Sequence, residues 1–166
     1  MKKIDIFEKD LLEKANKISS DYAKIASIAY RQAVAAHKLA WGGDEGIFVS
    51  KECFSNGCAA TVDVTYPSVP LFLIYNPSLV EYMLNPIFKM IELGKWSFDF
   101  APHDAGQYPL VNGQVYGLSA NELQKSMQMP IEECGNIILC VAAICRASGN
   151  IAYAKKHFDI LNQSNK

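Results

Sequence analysis

Apolar positions at Ile4, Phe7, Leu11, Leu12, Ala15 and Ile18 recur at helical spacing with charged residues between them, which predicts an amphipathic helix over 4–18. Ser19–Ser20–Asp21 can cap a second helix start, and Ile25, Ala26, Ala29, Val34, Ala36 and Leu39 carry the period from Tyr22 to Trp41. Gly42–Gly43–Asp44–Glu45–Gly46 ends it. From there to Asn76 no helical period is sustained apart from the short apolar run Val69–Tyr75. The β-branched and aromatic content of this stretch argues for a structured, functional loop with brief extended pieces.

Asn76–Pro77 opens a further helix, which Asn85–Pro86 restarts or kinks and Gly94 closes. Trp96 to Gln128 reads as a second long loop, punctuated by Pro102, Gly106, Pro109, Gly113 and Gly117 and including the polar stretch Leu118–Gln128. Pro130 then starts a helix apolar on almost every side as far as Ala147, expected to be buried all round. Gly149 stops it, and Asn150 caps an outer helix from Ile151 to Leu161. The pattern predicts an all-α single domain, residues 1–166, of helical hairpins with long irregular loops on one face.

Composition narrows the function classes. Half the residues are hydrophobic and 20% charged, which excludes a disordered chain. A net charge of -1 supplies no field for holding nucleic acid or an anionic membrane. The longest apolar run, Ile137–Cys145, is too short to span a bilayer, and no signal-peptide core follows Met1–Lys2–Lys3, so a soluble chain without an export signal is expected. Five cysteines (Cys53, Cys58, Cys134, Cys140 and Cys145) form no CxxC pair and no histidine-flanked set, and are read as packing residues. Neither a metal nor a cofactor is expected: there is no Walker loop, no dinucleotide fingerprint and no GxSxG elbow.

Three stretches could carry chemistry. In the first, Asn56, Thr61, Asp63, Thr65 and Tyr66 gather a carboxylate, an amide, hydroxyls and a phenol. Asp63 is either an acid, base or ligand-orienting group, or a turn residue bonding backbone amides. The second, FAPHDAGQYP, places His103 beside Asp104, with Tyr108 following. Here an imidazole–carboxylate pair competes with a capping aspartate next to a surface histidine. The third, MPIEECGN, puts Glu132 and Glu133 in a helix's first turn, about 100° apart, so that they cannot face one point. The helix dipole alone explains acidic residues there, whereas their apolar surroundings suggest a site. Together these groups suit binding and hydrolysis of a small polar or sugar-like molecule.

At these motifs the sequence resembles the glutaminase A family, through FVSKECFSNGCAATVDVTYPS (Phe48–Ser68), YNPSLVEYMLNPIF, FAPHDAGQYP, NGQVYG and MPIEECGN. The resemblance covers roughly residues 40–157. It implies an (α/α) six-hairpin toroid, of which this chain would be a part, and a hydrolase that releases ammonia from glutamine and is usually exported. Ala105, Cys134 and the polar stretch depart from the family's usual pattern. Carried onto this chain, the resemblance offers Glu133, Glu132, Asp104, His103 and Asp63 as catalytic candidates and Asn56, Tyr66 and Tyr108 as substrate contacts. Two alternatives stand beside it: a glycoside-processing domain, with Trp41, Tyr66, Trp96 or Tyr108 stacking on sugar rings, and a binding module without turnover. A partial ring would expose inner faces, so either the missing toroid half or a second copy is expected to cover them.

Overall fold

A computed structural model describes residues 2–52, 56–114 and 127–163. Its described elements are α1 (Lys2–Asn16), α2 (Ser20–Ala35), β1 (His37–Gly42), β2 (Glu45–Ser50), α3 (Val62–Tyr75), α4 (Pro77–Glu92), α5 (Pro130–Ser148), α6 (Ala152–Lys156) and α7 (Phe158–Gln163). The protein is mostly helical, with one small antiparallel sheet. The chain falls into two compact units, Met1–Ala36 and His37–Lys166.

The first unit is the α1–α2 pair. Ser19 caps α2 by accepting from the Tyr22 amide at 3.1 Å, as the sequence suggested. Phe7 packs on Tyr30, and Arg31 pairs with Glu8. A groove of about 460 Å³ runs between the two helices.

In the second unit the sequence expectation for Tyr22–Trp41 needs correction, because the helix stops at Ala35 and the next residues form a strand. β1 pairs with β2 from His37↔Ser50 to Gly42↔Glu45, leaving Gly43–Asp44 as a two-residue hairpin turn. Aromatic packing holds the hairpin down. The His37 ring sits against Phe48 and Phe72, and Trp41 meets Tyr82 edge-on. Gly46 lies flat against the Tyr82 ring, where a Cβ would meet it at 2.7 Å, and its carbonyl accepts from Asn85 on α4.

A second correction concerns 61–68, read from sequence as loop. Asp63 and Tyr66 lie on α3, which continues through Pro67 and Pro70. Each interior proline forfeits a backbone hydrogen bond, at about 3 kcal/mol. Burial of Val62, Val69 and Phe72, each worth about 1.5–3 kcal/mol, offsets that. α3 packs on both α4 and α5, so its apolar residues point several ways and leave no single stripe to read.

The remaining helices follow the pattern more closely. The Asn76 side chain caps α4, which runs unbroken past Pro86 to Glu92. α5 begins at Pro130 and ends before Gly149, and Asn150 accepts from the Ala152 amide to start α6. α5 is not buried all round: Ile131 is 90% and Leu139 53% exposed. The core joins Val80, Met83, Leu84, Ile87 and Phe88 of α4 to Ile137, Cys140, Val141 and Ile144 of α5. Cys58, Cys134 and Cys140 are buried, in line with packing roles, whereas Cys145 is half-buried. The Cys134 sulfur accepts from the Ala101 amide at 3.2 Å, and burial pushes the Cys140 thiol up to about 12. Cys53 and most of the polar stretch 118–128 lie outside the described residues.

Candidate functional site

α3 and α5 both begin at one place, and neither helix start is capped by a side chain. Asp63 is in the first turn of α3 and Glu133 in the first turn of α5. Between them comes the irregular segment Pro102–Gly106, which carries His103. Its carbonyl accepts from the Val62 amide at 2.9 Å and so ties the loop to the start of α3. One donor atom each from Asp63, His103 and Glu133 falls within 4.8 Å of the other two.

The loop is fixed from several sides. The Ala105 amide donates to the Ala59 carbonyl, the Ala59 amide to the Gly106 carbonyl and the Gly113 amide to the Ala105 carbonyl. Gln114 and Gln128 exchange amide hydrogen bonds at 2.9 and 3.0 Å. The same Gln128 oxygen accepts from the His103 amide, and Gln114 donates to the Asp104 carbonyl. Ala60 and Met129, which lead into α3 and α5, both have positive φ, at 55° and 50°. Such backbone is unfavourable for residues with a Cβ and recurs at functional sites.

Asp104 is fully buried. One carboxylate oxygen lies 2.9 Å from His103 Nδ1, and the other accepts from the Gly106 amide at 2.8 Å. The adjacent pair in the sequence is therefore a real imidazole–carboxylate contact. It turns Nε2 toward Asp63, 3.8 Å away. Burial opposes charging of the His103 ring, but the Asp104 hydrogen bond and the negative charges of Asp104, Glu133 and Asp63 outweigh it and raise its pKa above the ordinary 6.5. Glu133 has no exposed surface. Burial, and then the charge of Asp63, pushes its carboxyl up to about 8. One of its oxygens receives a long 3.4 Å contact from the Asn136 amide, while Oε1 is buried with no hydrogen-bond partner. Asp63 Oδ1 likewise is buried and makes no hydrogen bond, its nearest charged neighbour being His103 Nε2, although a third of the Asp63 side chain reaches solvent.

Of the sequence candidates, Asp63, His103, Asp104 and Glu133 thus come together. Glu132 does not: one position around the helix from Glu133, it is exposed. Asn56 is also exposed, and its side chain accepts from the Cys58 amide in a local turn. Tyr66 faces a groove of about 350 Å³ between α3 and α5, and Tyr108 lines another of about 580 Å³ between the hairpin, α4 and the 108–113 loop. None of the three grooves is lined by Asp63, His103 or Glu133, and the cluster opens to solvent through Asp63. Trp96 is buried and donates to the Phe100 carbonyl, which takes it out of any stacking role. Gln114, Gln128 and Asn136 escaped the sequence reading. Gln114 and Asn136 lie inside motifs quoted for other residues, and Asn136 stands one turn after Glu133, the only signal that could have found it.

A family model described as the glutaminase A six helical-hairpin domain matches residues 19–165. Glutaminase A of Aspergillus oryzae is 35% identical over 160 residues, 96% of this chain and 22% of that protein. A probable glutaminase of Arthroderma benhamiae is 33% identical over 122 residues, 73% of this chain and 13% of that protein. The chain thus spans less than a quarter of the length of these relatives. No solved structure matches it. A match over most of the chain, carrying the motifs that build the Asp63–His103–Glu133 cluster, shows that this chain belongs to the glutaminase A six helical-hairpin family.

Proposed function

We propose that this chain carries the hydrolytic site of a glutaminase-like enzyme, releasing ammonia from the side-chain amide of glutamine. The observation that carries the reading is the convergence of Asp63, His103 and Glu133 within 4.8 Å, in a chain whose relatives are named glutaminases. Water is held at the orphaned oxygens of Asp63 and Glu133. Its oxygen attacks the amide carbon while one proton passes to Asp63. The C–N bond then breaks as Asp63 returns that proton to the departing nitrogen, leaving glutamate and ammonia. His103, oriented by Asp104, steadies the charge that develops.

In the same reading the α3–α4 and α5–α7 hairpins are part of an (α/α) six-hairpin toroid. The apolar side chains left open on α3 and α5, among them Ile74, Ile131 and Leu139, mark where the ring continues or where a second copy packs. Sedimentation that shows only monomer removes the second copy.

Purified chain is tested for ammonia release from glutamine beside Asp63→Asn and Glu133→Gln. Activity that both substitutions reduce by about 10²-fold or more supports the reading. A folded chain without turnover overturns it for this chain and leaves a binding module. Cleavage of simple glycosides instead would favour the carbohydrate alternative, in which carboxylate separation sets the stereochemical outcome.

A further inference from the structure

We propose that Asp63, His103 and Glu133 bind one divalent metal ion of the zinc–manganese class, with coordination positions left open for water and substrate. The inference deepens the reading of that same site and rests on it for the choice of residues, but it stands on coordination chemistry of its own.

Three observations carry it. First, the donors are one imidazole nitrogen and two carboxylate oxygens within 4.8 Å of one another. Around an ion bonded at about 2.0–2.2 Å, ligand atoms sit about 3–4 Å apart, so the cluster needs to close by about 1–2 Å. Asp63, partly in solvent and on the first turn of α3, can supply that movement by side-chain rotation. Second, Glu133 Oε1 and Asp63 Oδ1 are both buried without a hydrogen-bond partner, Asp63 Oδ1 having only the His103 ring 3.8 Å away. A buried carboxylate oxygen with no donor costs several kcal/mol, and Glu133 is wholly shielded from solvent, so a cation between these atoms would relieve that cost. Third, His103 hands Nδ1 to Asp104 and turns Nε2 inward. Metal-binding histidines show the same carboxylate support behind the ring, which fixes the tautomer and strengthens the donor nitrogen. Asp104 is itself pinned by the Gly106 amide, so the support does not swing.

The donor set chooses the ion. Among the described residues no thiol joins it, the Cys134 sulfur being engaged by the Ala101 amide, and this disfavours soft cations. Calcium favours six to eight oxygens, and magnesium keeps much of its water. One imidazole with two carboxylates suits zinc or manganese, leaving at least one position for water.

The chain is stripped with chelator, dialysed, and offered Zn²⁺, Mn²⁺, Ca²⁺ or Mg²⁺ singly. Bound metal is counted by mass spectrometry, and Co²⁺ is added as a spectroscopic probe. The expected result is about one Zn²⁺ or Mn²⁺ per chain, a raised melting temperature, and a tetrahedral or five-coordinate Co²⁺ spectrum. Asp63→Asn and Glu133→Gln abolish binding, Asp104→Asn weakens it about 10–100-fold, and Glu132→Gln leaves it unchanged. Wild-type chain that retains no ion and gives only the aquo Co²⁺ spectrum overturns the proposal whatever the variants do. Retention of Ca²⁺ or Mg²⁺ alone overturns the assigned class. Ion binding without ammonia release sinks the glutaminase reading and spares the site, and ammonia release from a chain that retains no ion sinks the site and spares the glutaminase reading.

Discussion

Gly106 is the tightest point in the loop that presents His103, and replacing it with alanine measures what that tightness is worth. Its φ of +104° is one that residues with a Cβ rarely adopt, at a cost of about 1–3 kcal/mol. A Cβ there would also lie 2.8 Å from the Gly113 carbonyl carbon and closer still to its oxygen, where ordinary contact begins at 3.4 Å. The obstacle is backbone, so relief means parting the two strands of the loop. That disturbs the bonds Gly113 N–Ala105 O and Ala59 N–Gly106 O, each worth about 1 kcal/mol. Gly106→Ala should therefore cost about 3–5 kcal/mol in all. Gly57→Ala supplies the control, with a left-handed φ of +72° but open space around the new Cβ. It should cost only about 1–2 kcal/mol. Urea denaturation of both variants gives the difference directly, and at a slope of about 1–3 kcal/mol per molar the midpoints should stand about 1 M apart. Two variants lying within about 0.5 kcal/mol of each other would refute the close-approach argument.

Other substitutions test the surroundings. His157 stacks on Phe88 at 3.9 Å and is faced by Tyr153, Glu92, Lys156 and Glu45. Burial, only partly opposed by Glu92, lowers its pKa below 6.5. Since the unfolded chain takes up the proton first, stability should hold above pH 6.5 and fall as pH drops below it. Thermal melts at about pH 7 and about pH 5 should show this slope in wild type and a shallower one in His157→Gln. Cys134→Val leaves the Ala101 amide without its acceptor and should cost about 1–2 kcal/mol in urea melts, with Cys134→Ser costing less because a hydroxyl can still accept. Gln128→Met strips hydrogen bonds from His103 and Gln114 together and should cost about 2–3 kcal/mol, read the same way.

Helix starts were the most legible feature of the sequence. Ser19, Asn76–Pro77 and Pro130 each combine local cap chemistry with a following apolar run, and all three open helices. Where local chemistry and tertiary packing disagreed, the reading failed. His37–Gly42 extends a helical period into a segment whose aromatic side chains are better satisfied in a hairpin, by Phe48, Phe72 and Tyr82. α3 combines two prolines with β-branched residues, and only its burial between α4 and α5 keeps it helical. At the site, angular spacing says that Glu132 and Glu133 cannot face one point without choosing between them, and residue type flags the His103–Asp104 pair. That these meet Asp63 is a long-range fact with no local trace. The amide clamp of Gln114 and Gln128 was equally silent, since a glutamine's partner is set wholly by the fold.

The stitching of residues 57–62 to 103–113 has a kinetic consequence. Ala59, Val62, Ala105 and Tyr108 donate their amides across a junction closed only after long loops have been drawn together, so these bonds form late and open early. The helices flanking the site draw on more local contacts, with α4 and α5 sharing the main core. Mild stress should therefore dissolve the junction while helical content persists. Circular dichroism would then register an intact protein whose three site residues no longer meet.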